Sequence, residues 1–393
     1  MENFNELLQK YADFIVRVGV NPQPGQTLII NCPLEGAPLA RLCVRSAYEA
    51  GARDVQVNWQ DDAVTRIRME LGSEDALTDH KAGSCAAIWT TPRARAVCAC
   101  CTSSRTTRNC LPGWTVQDQP GEQREPQLMQ PWREYTMNDR VQWSIAALPA
   151  EPWAKKMFPE LDTAAAIEAQ WKLIFDTCRV TGGDPVGEWQ KHLDRLNELG
   201  AKMNALDLES VHFESANGTD LTVGLAEQAV WESAGSKNEK GVPFLPNIPT
   251  EEVFTAPHKD KVDGIVYGTK PYVFNGQLIK NFHVTFKDGK VVEHGADEGA
   301  DLLGQLLDTD EAHATLVRWH WCPPPAPSTA AASCSITPCL TRTLLPHRLW
   351  RQLPRHHRGR HRPFQGGAGS PRHEPLLPAR GRDDRCRGQP HHR

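Results

Sequence analysis

The sequence lacks the features that would mark a membrane, secreted or nucleic-acid-binding protein. No apolar run approaches the roughly 20 residues that a membrane span needs. The N-terminus carries Glu2 and Glu6 and has no basic start followed by an apolar core, so it does not resemble a secretory signal. The net charge is -4, and acidic and basic residues are mixed through most of the chain. We therefore expect a cytoplasmic protein without membrane or nucleic-acid partners.

The cysteines lack the spacing of a metal site. Nine of the twelve lie in two short segments, between positions 81 and 128 and after position 318. Cys98, Cys100 and Cys101 are close together, but their spacing matches no zinc-ligand pattern. We therefore do not expect zinc at these cysteines.

What the first half of the chain has is a βαβ pattern. Apolar residues recur at helical spacing in residues 1–19, and 27–31 has the composition of a buried strand. Residues 38–51 favour a helix that ends at a glycine, and 54–59 favour the next strand. This order predicts an α/β fold with a parallel sheet and covering helices, because parallel neighbours need a crossover connection.

The second half favours antiparallel strands. Helices are predicted over 164–178 and 186–206, and a hairpin over 211–225 with its turn at Asn217-Gly218. Residues 262–295 alternate apolar and polar side chains around two further turns, Asn275-Gly276 and Asp288-Gly289. A chain of 393 residues suffices for two domains. We predict an N-terminal α/β domain over 1–206 and a smaller, mainly antiparallel β-rich domain over 207–311.

Two segments depart from this order. Residues 81–128 show neither a helical nor a strand period, and residues 312–393 are rich in Arg, Pro and His. After Trp319 there are thirteen arginines, three acidic residues and no lysine. This composition predicts disorder from about 322 onward. A basic tail that binds nucleic acid is an alternative, but lysines and interleaved aromatics are lacking.

Two specific motifs carry a family resemblance. PWREYTMNDRVQWSIAALPAEPWAKKMFP occupies residues 131–159, and VPFLPNIPTEEVFTAPHKDKVDG occupies 242–264. Together they resemble the metalloaminopeptidase family that includes aminopeptidases T, S and II, and the resemblance covers about 1–80 and 129–311. It implies release of N-terminal residues from small peptides, two divalent ions per site (cobalt, zinc or magnesium) and a homodimer.

The resemblance also implies where metal ligands stand. In that family one ligand is a Glu of the TEEVFT motif, and here Glu252 fits best, with Glu251 as the alternative. Without the surrounding motif, both would be read as solvated charges. His258 lies in a polar segment predicted to be an exposed loop, and His283 lies in an alternating strand. Neither is expected to bind metal.

A further group belongs to the first motif. Tyr135, Asn138 and Asp139 are part of it and are expected to support the structure rather than to bind metal.

The family's other ligands lie in LGEVALVP, FDEN and HVD motifs, which are absent from residues 312–393. Read one base earlier or later, the codons permitted for this tail can encode all three motifs in order, and those around 96–114 can encode an ordinary strand and helix start. We therefore hypothesise that about 81–128 and 312–393 are translated out of frame. A chain with this sequence would keep one metal ligand and show no peptidase activity, since even open catalytic sites keep about three protein ligands.

Overall fold

A five-stranded parallel sheet organises the first half of the chain in the computed structural model, which describes residues 3–73, 97–102, 136, 138–269, 271–274, 277–308 and 319–321. The strands lie in the order β2-β1-β3-β4-β9, and every neighbouring pair is parallel. Their bounds are β1 Thr27–Pro33, β2 Asp54–Gln60, β3 Val97–Thr102, β4 Trp143–Ala146 and β9 Asn247–Ile248. The predicted parallel sheet is thus confirmed.

Several helices alternate with these strands along the chain, and an aspartate side chain caps the N-terminus of three of them. They are α1 Phe4–Phe14 with its π-helical continuation Ile15–Val20, a 3₁₀ turn Leu34–Gly36, α2 Ala37–Glu49, α3 Asp62–Leu71, α4 Glu151–Met157, α5 Thr163–Thr177 and α6 Pro185–Ala205. Asp61, Asp162 and Asp184 each accept a backbone N–H of the first helical turn, which satisfies a donor that has no partner within the helix.

The first hydrophobic core lies between these helices and one face of the sheet. Tyr11 and Phe14 of α1, Phe175 of α5 and Trp189 of α6 are fully buried in it. The hydroxyl of Tyr11 donates to the carbonyl of Ala147 at 2.9 Å, so even the polar atom of this side chain is paired. The aromatic rings of α1 contact those of α5 and α6 and hold these helices together.

An antiparallel sheet with strand order β15-β14-β11-β6-β5 organises the second half. Its strands are β5 Ser210–Glu214, β6 Asp220–Leu225, β11 Pro257–Tyr267, β14 His283–Lys287 and β15 Lys290–Gly295. Asp288 and Gly289 both have positive φ, as the tight turn between β14 and β15 requires. Alternating residues of this sheet and Leu196 of α6 form the second core. The antiparallel arrangement was predicted correctly.

The remaining elements are short. They are β7 Ser236–Lys237, β8 Pro243–Phe244, β10 Val253–Thr255, β12 Tyr272–Phe274, β13 Gln277–Ile279, α7 Ala300–Leu307 and β16 Trp319–Trp321. The strands β12 and β13 flank the predicted turn Asn275-Gly276, which lies outside the described residues. Within the described residues, no helix is long and apolar enough to cross a membrane.

The first anomalous segment contains a strand that its sequence did not predict. Strand β3 pairs with β1 and β4, at the centre of the parallel sheet. Its sequence, VCACCT, does not alternate between apolar and polar residues, as is usual for strands of parallel sheets. The other residues of this segment and the tail from 322 onward, with its predicted disorder, lie outside the described residues. The proposed domain limits at 206 and 311 stay a prediction.

Candidate functional site

Glu251 and Glu252 lie where the two cores meet. They follow β9 at the carboxyl end of the parallel sheet, the edge where α/β proteins bind ligands. Ile248, on one side, packs in the first core, and Val253, on the other side, packs in the second. The acidic pair therefore occupies the connection between two rigid regions.

Both carboxylates are withdrawn from solvent. The side chain of Glu251 is 7% exposed, and Glu252 is 9% exposed as a residue. Buried carboxylates are rare unless they are paired or bind a metal, because removing a charge from water is costly. This burial rejects the reading of the two residues as solvated surface charges.

Arg179 is the counter-ion of Glu251. Its Nη2 donates to Oε2 at 3.2 Å, and its Nη1 lies 2.9 Å from Oε1. The second contact lacks hydrogen-bond alignment, so it is Coulombic in character. Since the Arg179 side chain is 21% exposed, the pair is poorly screened by water. One positive charge balances one negative charge here.

The contacts of His192 define its protonation state. Arg179 Nη2 lies 3.3 Å from Nδ1 of His192, and a guanidinium can only donate, so Nδ1 accepts. The other ring nitrogen, Nε2, then carries the proton and donates to the carbonyl of Thr250 at 2.9 Å. Burial lowers the pKa of His192, and the nearby arginines act in the same direction against Glu251 and the Thr250 carbonyl. His192 is therefore neutral, and its 3.4 Å approach to Glu251 is not an ion pair.

Trp189 supports this cluster from below. The guanidinium of Arg179 lies 5.0 Å from its ring centroid, and the ring of His192 meets it edge-on at 5.2 Å. Its own Nε1 donates to the Cys178 carbonyl at 2.6 Å, and Phe14 stacks on its ring. The cluster is thus anchored in the first core.

Glu252 directly precedes strand β10, whose first residue, Val253, packs in the second core. In β10, Val253 pairs with Trp321 and Thr255 pairs with Trp319 of the antiparallel strand β16. Within the described part of the chain, no group of three or more His, Cys, Asp or Glu side chains could hold a metal ion. The described residues alone therefore do not fit a complete metal centre, since catalytic sites use about three protein ligands.

The two histidine candidates lie in the antiparallel sheet. The prediction that His258 lies in a loop was wrong, because it belongs to strand β11, where alternation is interrupted by charged residues. His283 lies in β14, as predicted, with its ring 5.4 Å from that of Tyr267. Tyr135 is outside the described residues.

Asp139 has the contacts of a structural residue. It accepts hydrogen bonds from Ser236 Oγ at 2.7 Å and from Trp143 Nε1 at 3.3 Å. Burial raises the pKa of Asp139, and these two hydrogen bonds oppose the shift. Asn138, next to it, is half-buried. The supporting role expected of Asn138 and Asp139 stays a prediction.

Arg179 and His192 were missed by reasoning from the sequence. Arg179 lies 72 positions before Glu251, and His192 lies 58 positions before Thr250. No local motif links residues so far apart, and neither residue lies in the two motifs that carry the resemblance. The only available signal was that a buried acidic residue needs a partner.

Known proteins align with most of this chain. A family model described as thermophilic metalloprotease (M29) matches residues 4–317. Aminopeptidase AmpS of Bacillus subtilis is 36% identical over 312 residues, which is 79% of this chain and 75% of that protein. Aminopeptidase 2 of Geobacillus stearothermophilus is 37% identical over 316 residues, with the same coverage of 79% and 75%.

A solved structure has the same fold. Wild-type AmpT from Thermus thermophilus superimposes with a TM-score of 0.77 at 30% sequence identity, over 87% of this chain and 84% of that chain. The α/β architecture with its antiparallel second part is therefore shared with a structure of known fold.

Proposed function

The chain belongs to the thermophilic metalloprotease (M29) family, and from this premise we propose that it is built as a metal-dependent aminopeptidase that removes N-terminal residues from small peptides. The relatives that align with it are named aminopeptidases. A divalent metal follows from the family, and we propose two ions per site, drawn from cobalt, zinc or magnesium.

The observation that carries this proposal is the buried acidic pair. Glu252 lies in the family's TEEVFT motif, at the carboxyl end of the parallel sheet, and is almost fully withdrawn from water. Glu251 is already neutralised by Arg179. In this proposal Glu252 supplies one oxygen ligand to the metal.

A second proposal concerns the chain with its present, unaltered sequence. The family model stops matching at residue 317, where the Arg-, Pro- and His-rich composition begins, and the described residues supply no set of three ligands. The end of the family match at this point favours an inactive remnant of the enzyme, with residues 312–393 translated out of frame. Under this alternative the polypeptide keeps the family fold and does not hold stoichiometric metal.

One pair of chains distinguishes the two proposals. The unaltered chain and a chain with both segments restored to the shifted reading frame are assayed for release of the N-terminal residue from a dipeptide with cobalt or zinc. We expect release from the restored chain alone. Equal, metal-stimulated release by the unaltered chain would refute the remnant, and absence of release from a folded restored chain would refute the aminopeptidase.

We also propose a cytoplasmic homodimer, on the family resemblance. Sedimentation equilibrium of the purified chain measures its mass directly. A species of about twice 43.8 kDa is expected, and a monomer at micromolar concentration would contradict the proposal.

A further inference from the structure

We propose that Arg179 and His192 are positioning residues that hold the segment from Thr250 to Glu252 by two separate contacts. Arg179 takes the Glu251 carboxylate as its counter-ion, and His192 holds the Thr250 carbonyl. The importance given to Glu252 rests on the proposed function, whereas the two contacts are properties of the described residues.

The charges of this cluster support the proposal. Glu251 and Arg179 neutralise each other, and His192 adds a donor and an acceptor without adding a charge. In a protonated His192 the Nδ1–H would meet a donor of the Arg179 guanidinium, and a net positive charge would remain in a buried place. The neutral ring with its proton on Nε2 is the form that satisfies both neighbours.

The guanidinium of Arg179 is preorganised to pair with Glu251. Arg179 is held from three directions, by the face of Trp189, by Glu251, and by the Thr177 carbonyl, to which Nη1 donates at 3.3 Å. Its backbone lies in the left-handed region, with φ 57, directly after the end of α5. The guanidinium therefore needs little reordering to meet Glu251.

The position of His192 on α6 also supports the proposal. It lies between Trp189, which packs in the first core, and Leu196, which packs in the second. Residues three and four apart share one face of a helix, so a single stripe of α6 passes from one core to the other beside the acidic pair. His192 is the polar member of that stripe and fixes Thr250 at the crossing point.

The consequence is a division of roles within the acidic pair. In this proposal the ion pair with Arg179 gives Glu251 a structural role in place of the role of metal ligand. Glu252 keeps the ligand role in the proposed function.

Nitrogen-15 NMR of the histidine rings of the full chain tests the proposal. We expect His192 as the neutral tautomer protonated on Nε2 at neutral pH, its signals identified by their loss in His192→Gln. Arg179→Met should weaken this tautomer preference, because Nδ1 loses its donor, while exposed His212 serves as an unchanged internal reference. An imidazolium, or a tautomer protonated on Nδ1, in the unsubstituted chain would overturn the assignment.

A double-mutant cycle provides the second measurement. Arg179→Met alone should lower the folding equilibrium constant by about 100-fold, since it leaves a buried carboxylate unpaired. Adding Glu251→Gln should recover about tenfold, whereas additive effects of the two substitutions would contradict the pairing. If Arg179→Met does not fold, Arg179→Lys keeps the charge without the planar fork and should be intermediate.

These two measurements distinguish failure of the positioning proposal from failure of the proposed function. Neither measurement needs bound metal or catalysis, so a chain without peptidase activity still decides whether the two positioning contacts exist. A folded Arg179→Met chain as stable as the original, with an unchanged His192 tautomer, would refute the positioning role even if the chain were an active enzyme.

Discussion

The two cores of this molecule are built differently and are joined by one helix and one acidic segment. The first packs aromatic side chains of helices against a parallel sheet, and the second packs mostly aliphatic side chains from alternating antiparallel strands. Helix α6 contributes Trp189 to the first and Leu196 to the second. Glu251 pairs with Arg179, which follows helix α5, and Glu252 directly precedes strand β10, which packs in the second core. Neighbouring residues of like charge thus acquire different environments from the regions on either side.

The largest effect is expected in the first core. Trp189→Ala should lower the free energy of unfolding by about 4 kcal/mol, because it removes a fully buried ring and the platform beneath Arg179. Trp59→Ala is the matched control, since Trp59 is 46% exposed, and should cost much less. Urea unfolding measures both, and equal losses would show that the first core does not depend on this aromatic stacking.

The second core should respond somewhat less. Leu196→Ala is expected to cost about 3 kcal/mol through lost burial and the cavity that remains. Leu206→Ala, just past the end of the same helix but 62% exposed, should change stability by less than about 0.5 kcal/mol. If Leu196→Ala also had a negligible effect, α6 would not be part of the second core.

A pair of glycines tests how tightly the antiparallel sheet is packed. Gly289 and Gly241 both have positive φ, so alanine is strained at either position. A Cβ at Gly289 would overlap the Lys259 carbonyl oxygen, whereas a Cβ at Gly241 would meet no atom of the described residues within 4 Å beyond its own chain neighbours. Gly289→Ala should therefore be at least about 2 kcal/mol more destabilising than Gly241→Ala in thermal unfolding. Similar losses would mean that the turn can move away from Lys259 freely.

The smallest effect concerns pH. Because the pKa of Asp139 is raised in the folded chain, folding favours its protonated form. The corresponding stabilisation is complete below the unfolded pKa of about 3.9 and is lost as pH rises through the folded pKa. Asp139→Asn should reduce this loss of stability between about pH 4 and pH 7, as measured by urea midpoints. An unchanged pH profile would contradict the assignment.

Much of the fold followed from period alone. The apolar stripe of residues 1–19, the strand at 27–31 and the Asp288-Gly289 turn were all predicted, because local geometry decides them. Strand β3 was not, since its run of small apolar residues has no alternation and its place is set by pairing with β1 and β4.

The candidate site was also predicted only in part from the sequence. The TEEVFT motif identified Glu251 and Glu252 from the sequence, but it left the choice between them open. The structure distinguishes their surroundings, because Arg179, which follows α5, pairs with Glu251, and His192 of α6 contacts the Thr250 carbonyl beside it. Contacts made by tertiary packing leave no periodic trace in a single sequence.

The central claim is that this chain keeps the fold of a metalloaminopeptidase but, in its unaltered sequence, does not hold stoichiometric metal. The most direct test is the cobalt content of the purified chain after equilibration with excess cobalt and gel filtration, beside the frame-restored chain. We predict clearly substoichiometric cobalt in the first and about two ions per chain in the second. One or more tightly held cobalt ions per chain in the first, lost on Glu252→Gln, would contradict the claim.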